Sequence, residues 1–204
     1  MTMHTKLPDD YFTQKYLLTA THSEVVAALP HLSGGRALDL GCGNGRNTLF
    51  LNLKGFEVSA WDHNPRSLAN LNQVIAAEGL SGIETRQVDL NQHRFNGSWD
   101  FVLSTVVMMF LQPATIPRLI ADMQAATVKG GFNLIVAAMH TDDYPAQPDF
   151  PFTFASGELS HYYRNWHIVK YNENPGQLHR TDENGQRITQ HFATLLAQKN
   201  YVKA

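Results

Sequence analysis

The chain has 204 residues, 43% of them apolar and 17% charged, with a formal net charge of -2. That length supports one domain with a sizeable core, and that charge gives no electrostatic case for a nucleic-acid partner. One cysteine excludes an intramolecular disulfide framework. The polar stretch Met1–Asp10 lacks a signal-peptide core and no apolar run reaches bilayer-spanning length, so a cytoplasmic protein away from membranes is expected.

Strand and helix signals alternate along the chain, which predicts an α/β fold with a mostly parallel sheet. The segment Tyr11-Phe12-x-x-Lys15-Tyr16 either folds over a bound ligand, with Lys15 near a carboxylate of it, or docks as a helix with a polar face. Thr21 and Glu24 have capping-box spacing ahead of Val25–Leu29. Pro30 and Gly34-Gly35 break the chain before a strand over Arg36–Leu40. A helix follows from about Gly45 to Lys54, with Gly55 as its C′ residue. A strand at Glu57–Asp62 leads to Asn64-Pro65, an N-cap followed by proline at the first helical position. Leu68, Leu71, Val74 and Ile75 then recur at helical spacing to about Gly79. Strands are predicted over Glu84–Val88 and Trp99–Val106, a helix over Ile116–Thr127, and a turn at Lys129-Gly130-Gly131 into a strand over Phe132–Met139. His140–Gly157 reads as an ordered loop or cover, in which Phe150, Phe152 and Phe154 alternate like a half-buried strand face. Tyr162, Tyr163 and Trp166 read as core or lid packing. Two further strands are expected near His167–Tyr171 and Arg187–Gln198.

The run Ala37-Leu38-Asp39-Leu40-Gly41-Cys42-Gly43-Asn44-Gly45-Arg46 is a short apolar strand, a glycine-rich turn and a helix start. Glycines allow close backbone approach to a ligand. A dinucleotide places its pyrophosphate on the helix N-terminus, where Asp39 would repel it, and the spacing is Gly-x-Gly-x-Gly. A cationic, phosphate-free ligand such as S-adenosylmethionine fits instead. Asp62 lies about 20 residues on, where an acid takes ribose hydroxyls. Asp89 and Leu90 follow the next strand and would flank adenine. Thr105 and Val106 end the strand after that, beside the transferring methyl. Each residue alone also has a plain turn, cap or packing reading; the ordered set is what points to the cofactor. Cys42 reads as a packing residue. The ten histidines show no zinc pattern, and His140, Asp142 and Asp143 read as turn chemistry rather than a metal site.

Near the C-terminus, Asn184-Gly185 is a hairpin-turn signal. A hairpin would bring His179 or Arg180 near Arg187, and an imidazole with two guanidiniums makes an anion site. The other reading is a surface hairpin whose arginines pair with Asp182 and Glu183.

The chain resembles the TehB family of tellurite-resistance methyltransferases over nearly its whole length. The resemblance rests on Tyr11-Phe12-Thr13 with Lys15-Tyr16, Thr21–Val25, Leu38–Asn47, Leu103–Val107, Asn133–Met139 and Leu178-His179-Arg180-Thr181-Asp182. It implies a Rossmann-like seven-stranded class I methyltransferase sheet with helices on both faces, in a single domain over residues 1–204. Residues 1–33 would cover the cofactor and 140–204 would form the acceptor side. It implies S-adenosylmethionine as methyl donor, held by Lys15, Tyr16, Asp39, Gly41, Gly43, Asn44, Gly45, Arg46, Asp62, Asn64, Asp89, Leu90, Thr105 and Val106. The implied acceptor is tellurite, with selenite and related oxyanions, taken by His179, Arg180 and Arg187. His179 would orient an oxygen or remove a proton. Ala20 stands where the family pattern suggests arginine, Ala146–Asp149 departs from it, and Asn200–Ala204 is expected to be a frayed tail. A small organic thiol or carboxylate acceptor, or a non-catalytic cofactor-binding module, are the competing functions, and a homodimer is compatible with the sequence.

Overall fold

The computed structural model describes residues 7–200. The expectations on residues 1–6 and on the tail from 201 lie outside them. Asn200 itself is tethered, its Nδ2 donating to the Asn165 carbonyl at 2.6 Å. The chain clusters into two compact units that meet in sequence at Asp89/Leu90.

The first unit alternates helices and parallel strands. Helices α1 (Tyr11–Tyr16) and α2 (Ser23–Ala28) precede β1 (Arg36–Leu40), α3 (Arg46–Leu53), β2 (Glu57–Asp62), α4 (Pro65–Glu78) and β3 (Ile83–Gln87). β1 pairs with β2, and β2 with β3, both in parallel. Ala37 to Leu40 are all buried, as a strand covered on both faces requires. Leu68, Leu71 and Val74 of α4 enter one core cluster with Phe12, Leu49 and Ala60, the apolar stripe predicted from their spacing. Asn64 caps α4 as expected, its side chain accepting from the Arg66 N–H at 2.9 Å. The capping box at Thr21 does not form. His22 is the N-cap of α2, its Nδ1 accepting from the Glu24 N–H, because Thr21 donates instead to the Arg46 carbonyl.

The second unit holds β4 (Trp99–Thr105), α5 (Thr115–Ala126), β5 (Thr127–Ala138), α6 (Glu158–Tyr162), β6 (His167–Thr181) and β7 (Arg187–Gln198). β4 and β5 are parallel; β7 runs antiparallel to both β5 and β6. Lys129-Gly130-Gly131 is not a turn before the strand but a bulge inside it. Trp99 pairs with Thr127 and Phe101 already with Phe132. A side chain at 131 would stand 2.9 Å from the Asp100 carbonyl oxygen, so only glycine fits that crossing. β6 continues ten residues beyond the predicted Tyr171 end. Asn172 to Gly176 lack strand character by themselves, but β7 pairs with them along its length, and tertiary pairing overrides weak propensity. Pro175 is tolerated because β6 is an edge strand. Phe150 to Phe154 do not form a strand face; Phe154 makes an isolated bridge with Met139.

The seven strands form one sheet of order β3-β2-β1-β4-β5-β7-β6. It is the α/β sheet that the alternating pattern predicts, in the Rossmann-like form that the resemblance implies. No helix among the described residues is long and apolar enough to cross a membrane.

Tyr163 is fully buried, and burial pushes its phenol far above the ordinary range. Its hydroxyl donates to Asn133 Oδ1 at 2.9 Å, and Asn133 Nδ2 donates to Thr127 Oγ1 at 2.6 Å. Tyr163→Phe leaves the Asn133 oxygen without that donor in a dry interior. The expected cost is about 1–3 kcal/mol, read as a melting point lower by about 2–10 °C. An unchanged melting point would show that the amide finds another partner.

Candidate cofactor and acceptor sites

In the first unit, the exit of β1 carries Asp39, which is 1% exposed. Its Oδ2 accepts from the Thr48 hydroxyl at 2.7 Å. Burial pushes its carboxyl up to about 6, opposed by the Thr48 bond and by Arg46. Arg46, at the start of α3, is itself held below its ordinary range by burial, with Asp39 pulling the other way. The turn then folds back on β2: the N–H groups of Gly41 and Cys42 both donate to the Trp61 carbonyl, at 2.7 and 2.9 Å. Cys42 is buried in the core cluster, and burial pushes its thiol far up, which fits its reading as a packing residue.

The glycines divide into two kinds. Gly45 has φ +87°, and a Cβ there would stand 2.4 Å from Leu71 Cδ1; left-handed backbone and crowding by α4 both favour glycine. Gly43 has φ +54°, and its Cβ position faces open space. Backbone conformation, not crowding, sets that residue. The Gly43 N–H donates to Asp62 Oδ2 at 2.8 Å, and Asp62 Oδ1 accepts from the Asn64 N–H at 2.8 Å. Asp62 and the glycine turn are therefore one hydrogen-bonded unit, although 19 positions separate them. An ionised carboxylate has about four acceptor sites, so ribose hydroxyls can still be taken. Asn44 accepts from Asn70 Nδ2 at 3.1 Å, and Asn64 is committed to its cap.

Lys15 and Tyr16 both meet Glu78, at the end of α4. Lys15 Nζ lies 2.7 Å from Glu78 Oε1 and donates to Tyr11 Oη at 2.9 Å, while Tyr16 donates to the same carboxylate at 2.5 Å. The bond to Lys15 holds Glu78 below its ordinary range and raises Lys15 in turn. With Phe12 buried beneath, α1 takes the arrangement of a docked helix with a polar face. The segment after it lies on the start of α3: Arg46 donates to the Ala20 carbonyl at 3.3 Å and the His22 N–H to Asn47 Oδ1 at 3.0 Å. The contact at position 20 is made by backbone, so the alanine there does not remove it. Asp89, exposed, closes this unit.

In the second unit, Leu90 is buried, and Thr105 is buried at the end of β4. Val106 has φ +61°, a genuine outlier for a β-branched residue. Its N–H donates to the Val136 carbonyl at 2.7 Å, and its side chain packs on Met109, Ala138, Phe150 and Leu178. Strain of this kind costs about 1–3 kcal/mol and clusters at functional positions.

The predicted hairpin forms between β6 and β7. Asp182 Oδ1 accepts the N–H groups of Asn184 and Gln186, both at 2.9 Å. Thr181 pairs with Arg187. Between Gln177 and Thr181 the register shifts, and Leu178 turns into the apolar cluster. His179, Arg180 and Arg187 are exposed. Arg180 grips Asp149 with two bonds, at 2.7 and 2.8 Å, which raises the guanidinium further. It also lies 5.1 Å from the Phe150 ring centroid. The alternative reading, in which the arginines pair with Asp182 and Glu183, does not hold for Arg180, whose partner is Asp149. No contact among the described residues joins His179, Arg180 and Arg187 to one another. His140 Nδ1 accepts from the Ala146 N–H at 3.1 Å, turn chemistry as read.

Sequence reasoning missed Thr48, Glu78 and Asp149, each the partner of a residue it had named. Thr48 had a signal, since it sits one turn into the helix that the glycine loop opens. Glu78 and Asp149 had none; each is distant in sequence from the cation it holds.

Comparison with known proteins bears on the family of the chain. The family model "Tellurite resistance protein TehB" matches residues 3–196. A Haemophilus influenzae protein named "Probable S-adenosyl-L-methionine-dependent methyltransferase TehB" is 51% identical over 191 residues, 94% of this chain and 66% of the relative. An Eikenella corrodens protein named "Hemagglutinin 1" is 45% identical over 93% of this chain and 63% of its own length. The crystal structure of TehB from Haemophilus influenzae superposes with a TM-score of 0.90 at 50% identity, over 94% of this chain and 67% of that one. This chain thus spans about two thirds of the length of these relatives. It belongs to the TehB family of tellurite-resistance proteins.

Proposed function

We propose that this chain performs S-adenosylmethionine-dependent methyl transfer to tellurite, and to selenite and related chalcogen oxyanions. The observation that carries the cofactor reading is the bond from the Gly43 N–H to Asp62 beside the buried carboxyl of Asp39. Two acids flanking a glycine turn suit a cationic ligand and oppose a pyrophosphate. The residues fit such a cofactor: the Gly43 Cβ position is open, and Asp62 keeps acceptor sites for a ribose diol. Gly41, Gly43, Asn44, Gly45 and Arg46 would line its methionine part, Asp89 and Leu90 its adenine, and Thr105 and Val106 its methyl. Lys15 or Tyr16 would reach its carboxylate on leaving Glu78. When bound, S-adenosylmethionine would supply a sulfonium-activated methyl group to the acceptor's lone pair, with S-adenosylhomocysteine as the leaving group.

The chain's own task is to hold the acceptor with its lone pair on that line. Positioning of this kind lowers a barrier by about 7–11 kcal/mol in favourable cases. Arg187 and Arg180 would hold oxyanion oxygens, and His179 would orient a third or take a proton from it. A second reading has one observation in its favour. Arg180 is paired with Asp149, beside the apolar group of Met109, Phe150 and Leu178, and that lining suits a small organic thiol or carboxylate.

The test is S-adenosylhomocysteine formation by purified protein with tellurite, selenite, and a panel of thiols and carboxylates. Turnover with the oxyanions is expected. Turnover with organic acceptors alone would replace the acceptor and keep the cofactor; cofactor binding without any turnover would leave only a binding module.

A further inference from the structure

The segment from Leu90 to Phe95 has no regular structure of its own, yet one face of α5 grips it throughout. Thr115, Arg118 and Asp122 lie three and four residues apart, on one side of that helix. The Thr115 hydroxyl donates to Asn91 Oδ1 at 2.9 Å, and so does the Gln112 N–H. Asp122 accepts from Arg94 Nε and Nη2 at 2.8 and 2.6 Å. Between them stands Arg118, with its side chain 23% exposed. One of its terminal nitrogens donates to the carbonyls of Leu90 and Asn91, at 2.9 and 3.0 Å, and the other to the His93 carbonyl at 2.7 Å. A planar fork of fixed donors thereby sets the relative positions of three carbonyls in one short turn. Asp122 lies 3.9 Å from the same guanidinium and tethers it.

We infer that Arg118 is a positioning residue for cofactor binding: by fixing three carbonyls of the Leu90–His93 turn, it presents Leu90 preformed to the adenine. The inference rests on the cofactor reading above, in which Leu90 contacts that ring. With the turn already ordered, the ligand does not bear the cost of ordering it. Without Arg118, the turn keeps its ends but not its shape, and cofactor affinity falls while the chemistry of the bound complex does not.

The experiment measures the Kd of S-adenosylhomocysteine by calorimetry, and KM for S-adenosylmethionine against kcat, in Arg118→Ala, Arg118→Lys and Leu90→Ala. Arg118→Ala is expected to weaken both Kd and KM by about fivefold to tenfold, the scale of ordering one short loop, with kcat at saturating cofactor unchanged. Arg118→Lys keeps the charge but lacks the fork, and is expected to recover little; it also carries the test if the alanine variant does not fold. A structural role alone would lower the melting point and leave Kd where it was. Weakened binding in Leu90→Ala with unchanged Kd in both Arg118 variants overturns the inference. Unchanged Kd in Leu90→Ala itself overturns the adenine assignment, and the inference with it.

Discussion

Arg187→Ala is expected to lower turnover with tellurite by about a hundredfold, the usual scale for removing one preorganised group that faces charge in a reaction. The Kd for S-adenosylhomocysteine should stay within about twofold. Arg187 opens β7 directly after the hairpin turn and pairs across the strands with Thr181. It is exposed and forms no ion pair among the described residues. A guanidinium held by the backbone of a two-stranded tip, with its donors uncommitted, is available to an oxyanion. Arg180 is in the opposite condition, since its donors are on Asp149. Arg180→Ala therefore mixes lost acceptor contact with a loosened 149–150 loop and reports less cleanly. His179, exposed beside it, adds a second clean test. Substitution at an exposed site of this kind changes stability by about 0.5 kcal/mol or less, so lost turnover with an unchanged melting point reads the site. Unchanged kinetics in both Arg187→Ala and His179→Ala would remove the acceptor assignment.

What the sequence made legible follows from how local each feature is. β1, β2 and the cap at Asn64 were readable to the residue, because apolar runs, a glycine turn and an Asn-Pro pair act on their own neighbours. The glycine turn was readable as a strand-to-helix turn, but not the division of labour inside it. Only packing shows that Gly45 answers to Leu71 while Gly43 faces open space. The bulge at Lys129-Gly130-Gly131 was misread as a turn because a bulge and a turn share the same residues. The pairing of Trp99 with Thr127 decides between them. β6 was cut short for the same reason, since its strand character beyond Tyr171 comes from β7. The candidate acceptor residues could be named from the hairpin signal and the resemblance, but not their present partners. An ion pair such as Arg180 with Asp149 spans 31 positions and leaves no local pattern. The strain at Val106 is likewise silent in sequence, because a valine there looks like the end of any buried strand.

Asp39 yields the second large effect, and it has two opposite signs. Its carboxyl in the folded protein titrates at about 6 against an ordinary 3.8, chiefly through burial. An acid raised in this way favours the fold while protonated. That contribution is complete below about pH 3.8 and is lost as the pH rises through about 6. Asp39→Asn removes the buried charge and keeps an oxygen for the Thr48 hydroxyl. At pH 7.5 the free variant should be more stable than the parent by about 1–3 kcal/mol, and well below about pH 3.8 the difference should vanish. Cofactor binding should move the other way. A cationic ligand draws its affinity from the ionised carboxylate, so the parent's affinity for S-adenosylmethionine should rise about tenfold from pH 5 to pH 7, releasing a proton at the lower end. In Asp39→Asn the affinity should be weaker at pH 7 by at least that factor and flat across the window. Calorimetry at pH 5, 6, 7 and 8, in buffers of differing ionisation enthalpy, reads both the affinity and the proton. A parent affinity independent of pH would mean that Asp39 supports the turn through Thr48 alone and does not face the cation. A variant that gains stability and loses affinity together would show a buried acid maintained against the fold for the sake of its ligand.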